Sequence, residues 1–354
     1  MRPRIAIVAP SLEILGGQGV QAAQLARGLR ESGHDVTFLP INPRFARGLS
    51  FLRGIPYART VMNQALYLPS LMELRRADVV HVFSASYWSF LLSPAPAMVV
   101  ARVLGKRVIL NYRSGEADDH LAHWGALVHP WLRLAHEIVV PSAYLREVFA
   151  RYGYRAHVIP NLVDTLHFRY RERRPLCPRL VSTRNLERYY RIDNTLEAFA
   201  VVRASYPQAT LSVAGYGSEE PELRRLAASL GLTGIRFLGR VEPHDLPVVL
   251  DEADVFVNSS VVDNQPVSVL EAFAAGLPTV STPTGDIANM VRDGETGLLV
   301  PAGDPAAMAK AVISLLEDPD RAATIARRAR SEVEKYSWEH VSERWAAVYA
   351  GRQA

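Results

Sequence analysis

Short runs of β-branched and aliphatic residues alternate with longer amphipathic stretches along the whole chain. The runs predict strands at Arg4–Val8, Asp35–Leu39, Asp78–Phe83, Arg107–Tyr112, Glu137–Val140 and His157–Ile159. The same rhythm resumes at Arg179–Ser182, Thr210–Ala214, Ile235–Leu238, Val255–Asn258, Thr279–Ser281 and Gly297–Val300. Helical periodicity falls between them, at Val20–Ser32, Tyr144–Arg151, Asp193–Ser205, Pro221–Leu230, Val267–Ala275 and Pro305–Leu316. The strands are apolar without alternation, as strands covered on both faces must be. Alternation of strand and helix then implies parallel sheets with helices on each side. The predicted fold class is α/β: two doubly wound, Rossmann-like domains in tandem, with a ligand cleft expected between them at the C-terminal ends of the strands.

Domain limits follow from punctuation. Two prolines and a charge cluster between Thr165 and Pro178 read as a linker over 166–178. It separates a domain at 1–165 from one at 179–336, and a last helix over 337–354 is expected to cross back to the first.

Composition narrows the class without changing the fold. The 354 residues are 49% hydrophobic and 21% charged, which is an ordinary globular mix and excludes disorder. One cysteine, Cys177, excludes an internal disulfide. The most apolar stretch, Trp88 to Leu104, is interrupted by Pro94, Pro96 and Arg102 and falls short of the roughly 20 residues a membrane helix needs. Arg2-Pro3-Arg4 before Ile5-Ala6-Ile7-Val8-Ala9 imitates a signal peptide, but so short an apolar run reads as a buried first strand. The expectation is a cytoplasmic protein, soluble or peripheral on a membrane. Net charge is +4, yet residues 1–165 hold 18 Lys+Arg against 11 Asp+Glu, +7, while 166–354 hold 22 against 25, −3. The first half therefore points to an anionic partner.

Candidate chemistry gathers at loops. Gly16-Gly17-Gln18-Gly19 opens a helix after the first strand, where backbone N–H groups can approach an anion. It is not G-x-G-x-x-G, so a dinucleotide oxidoreductase has no fingerprint here. Gly215 and Gly217 stand at the matching turn of the second half. At both places a plain tight turn and a phosphate loop remain open. Asp263 to Pro278 is the most specific segment. Asn264 reads as the N-cap, Pro266 as a first-turn residue and Gly276 as the C-terminal stop. Amides of Val267 and Ser268 would face the space before that helix. Glu271 is a carboxylate in an otherwise apolar helix, so it is either a structural ion-pair partner or a ligand contact.

These residues resemble the retaining GT-B glycosyltransferases of glycosyltransferase family four. The landmarks are Gly16-Gly17-Gln18, Asp78-Val79-Val80-His81, Pro160-Asn161-Leu162-Val163-Asp164 with Phe168, Arg184, the pair Asp263 and Glu271, Asp293 through Pro301, and Tyr336-Ser337-Trp338-Glu339. The resemblance covers essentially the whole chain and implies the GT-B arrangement. It implies that Arg184 binds the diphosphate of a nucleotide-sugar, helped by amides of Gly17, Val267 and Ser268. Asp263 would meet hydroxyls of the transferred sugar and Glu271 those of the ribose, with Arg240 and Val241 bordering the base. The nucleotide-sugar is a substrate, and no cofactor is implied. The acceptor implied is lipid-linked or a glycan, and the enzyme a retaining, hexosyltransferase-type transferase.

Three positions depart from the family pattern. Asp263 stands where Glu is usual, Tyr190 where Lys is usual, and Arg113 where many relatives place an active-site His. Arg188 or Arg191 is expected to replace the Lys, and Arg113 to act beside Arg184 and Asp263 in catalysis. Beyond Arg113, Glu116 and His120 are candidates for the acceptor side, against the plainer reading of surface or helix residues. Tyr190 and Arg113 also motivate an alternative, a catalytically weak nucleotide-sugar-binding or scaffold protein. No metal is expected: Asp318-Pro319-Asp320 lies in a charged turn, and Glu116, Asp118 and Asp119 lack ligand spacing. Arginines 44, 47, 53 and 59 interleave with Phe45, Leu49, Phe51, Leu52, Ile55 and Tyr57, a pattern that suits an anionic membrane surface or a packed loop and helix. The basic surplus is assigned to acceptor or membrane, with no nucleic-acid partner.

Overall fold

The computed structural model describes residues 2–11, 16–45, 48, 51 and 55–351. The chain divides into two compact units, residues 1–162 with 341–354, and residues 163–340.

In the first unit the order is β1 (Ile5–Ala9), α1 (Gly17–Glu31), β2 (Val36–Pro40), α2 (Pro56–Ser70), β3 (Val79–Ser84), α3 (Tyr87–Leu92), α4 (Pro94–Val103), β4 (Arg107–Tyr112), α5 (Ala117–Leu132), β5 (Glu137–Val140), α6 (Ala143–Arg151) and β6 (His157–Val158). The strands form one parallel sheet in the order β2-β1-β3-β4-β5-β6. Its register places Ile5 against Val36 on one side and against Val79 on the other. The apolar stretch from Trp88 becomes two helices, because Pro94 begins α4 and cannot continue α3.

The second unit runs β7 (Arg179–Ser182), α7 (Ile192–Ser205), β8 (Thr210–Ala214), α8 (Glu220–Ser229), β9 (Ile235–Gly239), α9 (Leu246–Asp251), β10 (Val255–Asn258), α10 (Val267–Ala274), β11 (Thr279–Ser281), α11 (Ile287–Met290), β12 (Leu298–Leu299), α12 (Pro305–Glu317) and α13 (Pro319–Val333). Its parallel sheet has the order β12-β11-β10-β7-β8-β9. Apolar clusters cover both faces, Leu196, Phe199 and Val312 on one and Leu270, Phe273 and Ala329 on the other. The final helix, α14 (Trp338–Tyr349), leaves this unit, and its residues from Val341 onward belong to the first.

Every predicted strand is present, six with the predicted bounds and the rest with ends moved by one residue. The stretch 166–178 differs from the expected linker. Phe168 is buried in the second unit's core, and Arg173, 3% exposed, donates to the carbonyls of Leu250, Ala253 and Ala275. Arg171 and Arg173, read as part of a linker's charge cluster, instead satisfy carbonyls where α9 and α10 end, positions that lack helical partners and favour cations.

Candidate functional site

In the second unit the strand order reverses between β7 and β10, so the loops leaving their C-terminal ends diverge and leave room for a ligand. Arg184 follows β7 and Asp263 follows β10. Arg184 Nη2 donates to Asp263 Oδ2 at 2.6 Å, and Nη1 donates to Ser268 Oγ at 3.0 Å in the first turn of α10. Both charged side chains are only 10% exposed. Burial is the largest single influence on Arg184 and lowers its pKa, but the charge and hydrogen bond of Asp263 together with Tyr190 and Tyr189 outweigh it and the value is raised. The guanidinium lies over the Tyr190 ring, 4.0 Å from its centroid. Among the described residues its Nε has no hydrogen-bond partner, and neither do the hydroxyls of the two preceding residues, Ser182 and Thr183. Three consecutive residues thus present buried polar groups that nothing among the described residues satisfies, an arrangement that fits a polar ligand.

The head of α10 completes this cluster. The helix begins at Val267 because Pro266 is extended (φ −68°, ψ 120°) and acts as the N-cap. Asn264 is therefore two residues too early to cap it, contrary to the sequence reading. The first-turn N–H groups of Val267 and Ser268 have no intrahelical acceptor and carry the positive end of the helix dipole. Glu271 lies one turn further in. Burial pushes its carboxyl up to about 7, while Arg184 pulls it down. It makes no ion pair or hydrogen bond among the described residues, so the structural ion-pair reading is not realised. Gly276 closes the helix at φ +73°, where a Cβ would also lie 2.6 Å from Tyr170.

Other predicted donor residues are placed differently. Gly215 has no room for a side chain, since a Cβ would sit 2.1 Å from the Arg184 carbonyl oxygen. Its own N–H donates to the Gly239 carbonyl at 2.9 Å. Gly215 therefore shapes the loop that carries Arg184 and has no N–H to offer a phosphate. Arg188 is exposed on a 3-10 turn, and Arg191 is committed to Asp193 at 2.9 Å and to Asn194. Arg191 is thus engaged within its own helix start and Arg188 stays exposed, while the Tyr190 ring lies against Arg184. Arg240 is exposed and paired with Glu242 at 2.8 Å, beside Val241.

In the first unit α1 begins at Gly17, three residues before the predicted start, so Gly16 is its extended N-cap. Nothing lies within 4 Å of a Cβ at Gly16 or Gly17, and Gln18 donates to the Ser84 carbonyl at 3.3 Å. Arg113 follows β4. Its guanidinium donates to Asn161 Oδ1 and to Asn111 Oδ1, lies 5.3 Å from the Phe83 centroid, and pairs with no carboxylate among the described residues. Burial lowers its pKa to about 9. Glu116 is exposed at the head of α5, its pKa raised by burial and Asp119. His120 is fully buried among the rings of Tyr87, Phe90 and Trp124, with Nδ1 2.8 Å from the Tyr112 hydroxyl. Burial takes its pKa to about 4. His120 is a core histidine and does not face an acceptor.

His81 was one landmark of a motif and is now placed. It is buried beneath α14: Nε2 accepts from Asn111 Nδ2 at 3.1 Å and Nδ1 meets the Tyr349 hydroxyl at 2.7 Å. Ser182 and Thr183 were missed; two hydroxyl residues immediately before Arg184 were the available signal. Among the described residues no three His, Cys, Asp or Glu side chains are arranged to hold a metal ion, and no helix is long and apolar enough to cross a membrane. Arg47, Leu49, Leu52 and Arg53 of the basic segment lie outside the described residues.

Two family models match the chain, Glycosyltransferase Family 4 over residues 15–166 and Glycosyl transferases group 1 over 177–318. Among curated relatives, a glycogen synthase of Mycobacterium tuberculosis is 27% identical over 95% of this chain and 91% of its own. A phosphatidyl-myo-inositol mannosyltransferase of Mycolicibacterium smegmatis is 26% identical over 98% and 93%. Among solved structures, Anabaena HepE in complex with UDP and glucose aligns with a TM-score of 0.77 at 17% identity, covering 99% of this chain and all of that one. Sucrose-phosphate synthase of Thermosynechococcus elongatus aligns at 0.74 and 20% identity, covering 99% of both. At these identities the structural likeness shows the fold.

Proposed function

The chain belongs to the group 1 glycosyl transferases of glycosyltransferase family four, and from that premise we propose that it takes a sugar from a nucleotide diphosphate-sugar and retains the anomeric configuration. The acceptor in this proposal is lipid-linked or a glycan. The observation that carries the donor side is Arg184, a buried cation whose Nε is unsatisfied beside the head of α10. A diphosphate would satisfy Nε and the hydroxyls of Ser182 and Thr183, and would compete with Asp263 for the guanidinium. Once displaced, Asp263 is free to accept from sugar hydroxyls, and Glu271 from the ribose. As the glycosidic C–O bond breaks, negative charge grows on the leaving phosphate, where Arg184 and the amides of Val267 and Ser268 stabilise it. In this proposal the leaving diphosphate helps to deprotonate the acceptor, so neither a covalent nucleophile nor a metal is required.

The relatives' names cover unlike products, a glycogen synthase and a phosphatidyl-myo-inositol mannosyltransferase, and leave the sugar and acceptor open. An anionic membrane surface suits the first unit, where α2 exposes Tyr57, Val61 and Leu68 beside Arg59. Co-sedimentation with anionic vesicles at low salt, reversed at high salt, supports that part; no binding at low salt removes it.

A panel of UDP-, GDP- and ADP-sugars tests the whole reading by thermal stabilisation and slow donor hydrolysis. One donor is expected to do both in the presence of a chelator, and Arg184→Ala to abolish its stabilisation. Activity restored only by magnesium or manganese would remove metal independence. Tyr190 on Arg184 favours a second reading, a nucleotide-sugar-binding or scaffold protein, since the usual second cation is missing; stabilisation without turnover on any acceptor selects it.

A further inference from the structure

The first unit carries an aromatic group that the donor chemistry does not use. Its sheet reverses strand order between β1 and β3, and β3 leads directly into α3 at Tyr87. Tyr87 has φ +56°, in the left-handed region that a bulky residue rarely adopts. Such backbone strain is retained where the surroundings enforce it, and it collects at ligand-binding positions. Here the surroundings are visible. The Tyr87 hydroxyl donates to Asp119 Oδ2 at 2.5 Å, and its ring stands edge-on to Trp124 at 5.6 Å and 69°. Trp88 then meets the same Trp124 ring at 5.3 Å and 89°.

Trp88 is 64% exposed, although tryptophan offers more apolar area for burial than any other side chain. It is held upright by Trp124 and left open to solvent. Exposed carboxylates lie beside its neighbour Tyr87: Asp119, 57% exposed, accepts from the Tyr87 hydroxyl and meets His123 at 2.9 Å, and Glu116 stands at the head of the same helix, α5. Flat indole and phenol faces beside hydrogen-bond acceptors match one ligand chemistry well. A sugar ring has a C–H face that stacks on an aromatic ring and a rim of hydroxyls that donate to carboxylates. A bilayer fits less well, because anionic headgroups would meet Glu116 and Asp119, with His123, held to Asp119 at 2.9 Å, the basic side chain beside them.

We propose that Tyr87, Trp88 and Trp124 form a stacking platform for a sugar unit of the acceptor, with Asp119 and Glu116 receiving its hydroxyls. The assignment to the acceptor rests on the glycosyl-transfer reading; the carbohydrate site itself does not. His120, buried under Tyr87 and Trp124, acts as a positioning residue for the two rings.

Saturation-transfer NMR on the intact protein tests this without requiring turnover. With maltotriose, mannotriose and chitotriose as probes, transfer from aromatic protons to sugar ring C–H protons is expected for at least one. Trp88→Ala should abolish that signal, Trp88→Phe should keep most of it, and Arg184→Ala should leave it unchanged. No signal with any probe, or an equal signal in Trp88→Ala, overturns the proposal. So does a patch that perturbs only with anionic vesicles. Donor-sugar hydrolysis by the unaltered protein reads the other question: a stacking signal without hydrolysis keeps the platform and removes the transferase, while hydrolysis without stacking removes the platform alone.

Discussion

Glu271 shows how one carboxylate reports on its surroundings. Its pKa is raised by burial to about 7, against 4.5 in an ordinary setting. Between those values the folded chain holds a proton that the unfolded chain has released, so stability falls as pH rises through this window. Glu271→Gln should therefore stabilise the fold at pH 8, by about 1–3 kcal/mol at most and with a raised melting temperature, and hardly at pH 4. A thermal-melt series against pH checks this, and equal shifts at both ends would contradict it. Tyr190 makes a different statement. Where the family pattern has a second cation, this chain puts a ring against the existing one, which fixes the Arg184 guanidinium without adding charge. Loss of the ring in Tyr190→Ala should weaken donor binding about fivefold, as a cation–π contact of about 1 kcal/mol implies. Titration calorimetry with the stabilising donor measures it; unchanged affinity would show that Arg184 is held by Asp263 and Ser268 alone.

At the scale of elements, helix ends do much of the organising. The head of α10 presents first-turn N–H groups beside Arg184, and its tail is closed by Gly276 and the Arg173 guanidinium. Arg173→Ala would leave the carbonyls of Leu250, Ala253 and Ala275 without that donor. The expected cost is about 2–4 kcal/mol, from lost charge-assisted bonds and unsatisfied buried acceptors. Denaturant melts of the second unit's signal should show a midpoint shift with little change in slope. A shift under about 0.5 kcal/mol would mean that solvent replaces the arginine, as at ordinary surface sites.

Across the whole molecule, the return of α14 closes the first unit. Val341, Trp345, Val348 and Tyr349 are buried there, and Tyr349 meets His81 on β3. Burial lowers the His81 pKa to about 3 from an ordinary 6.5, so the ring is neutral in the fold. Below about pH 6.5 the unfolded chain takes up a proton that the folded chain refuses, and stability is lost as pH falls toward about 3. Tyr349→Phe leaves His81 Nδ1 unpartnered and should cost about 1–3 kcal/mol at neutral pH. Removal of residues 341–354 should unfold the first unit, which circular dichroism and proteolysis would read together. A truncated chain with an intact first unit would show that α14 is dispensable.

The sequence determined the elements and the family. All twelve strands were legible because a strand buried on both faces must be continuously apolar, and no other arrangement of this chain permits such runs. Arg184, Asp263 and Glu271 were legible because charged groups at strand ends and in an apolar helix stand out against their neighbours. Tertiary structure decided what each charge meets. Arg191 turned to Asp193, Gly215 gave its N–H to Gly239, His120 sank beneath Tyr87, and the arginines of 166–178 became helix-end donors. None of these partners is near enough in sequence, or distinctive enough in spacing, to be read from a pattern. The charge arithmetic was legible from the start as well. What the basic half is for depends on which arginines stay open, and the half-buried Arg113, held by Asn161 and Asn111 with no carboxylate partner among the described residues, is a property of packing alone. Periodicity is a local consequence of burial, whereas pairing is a consequence of which loops the sheet order brings together.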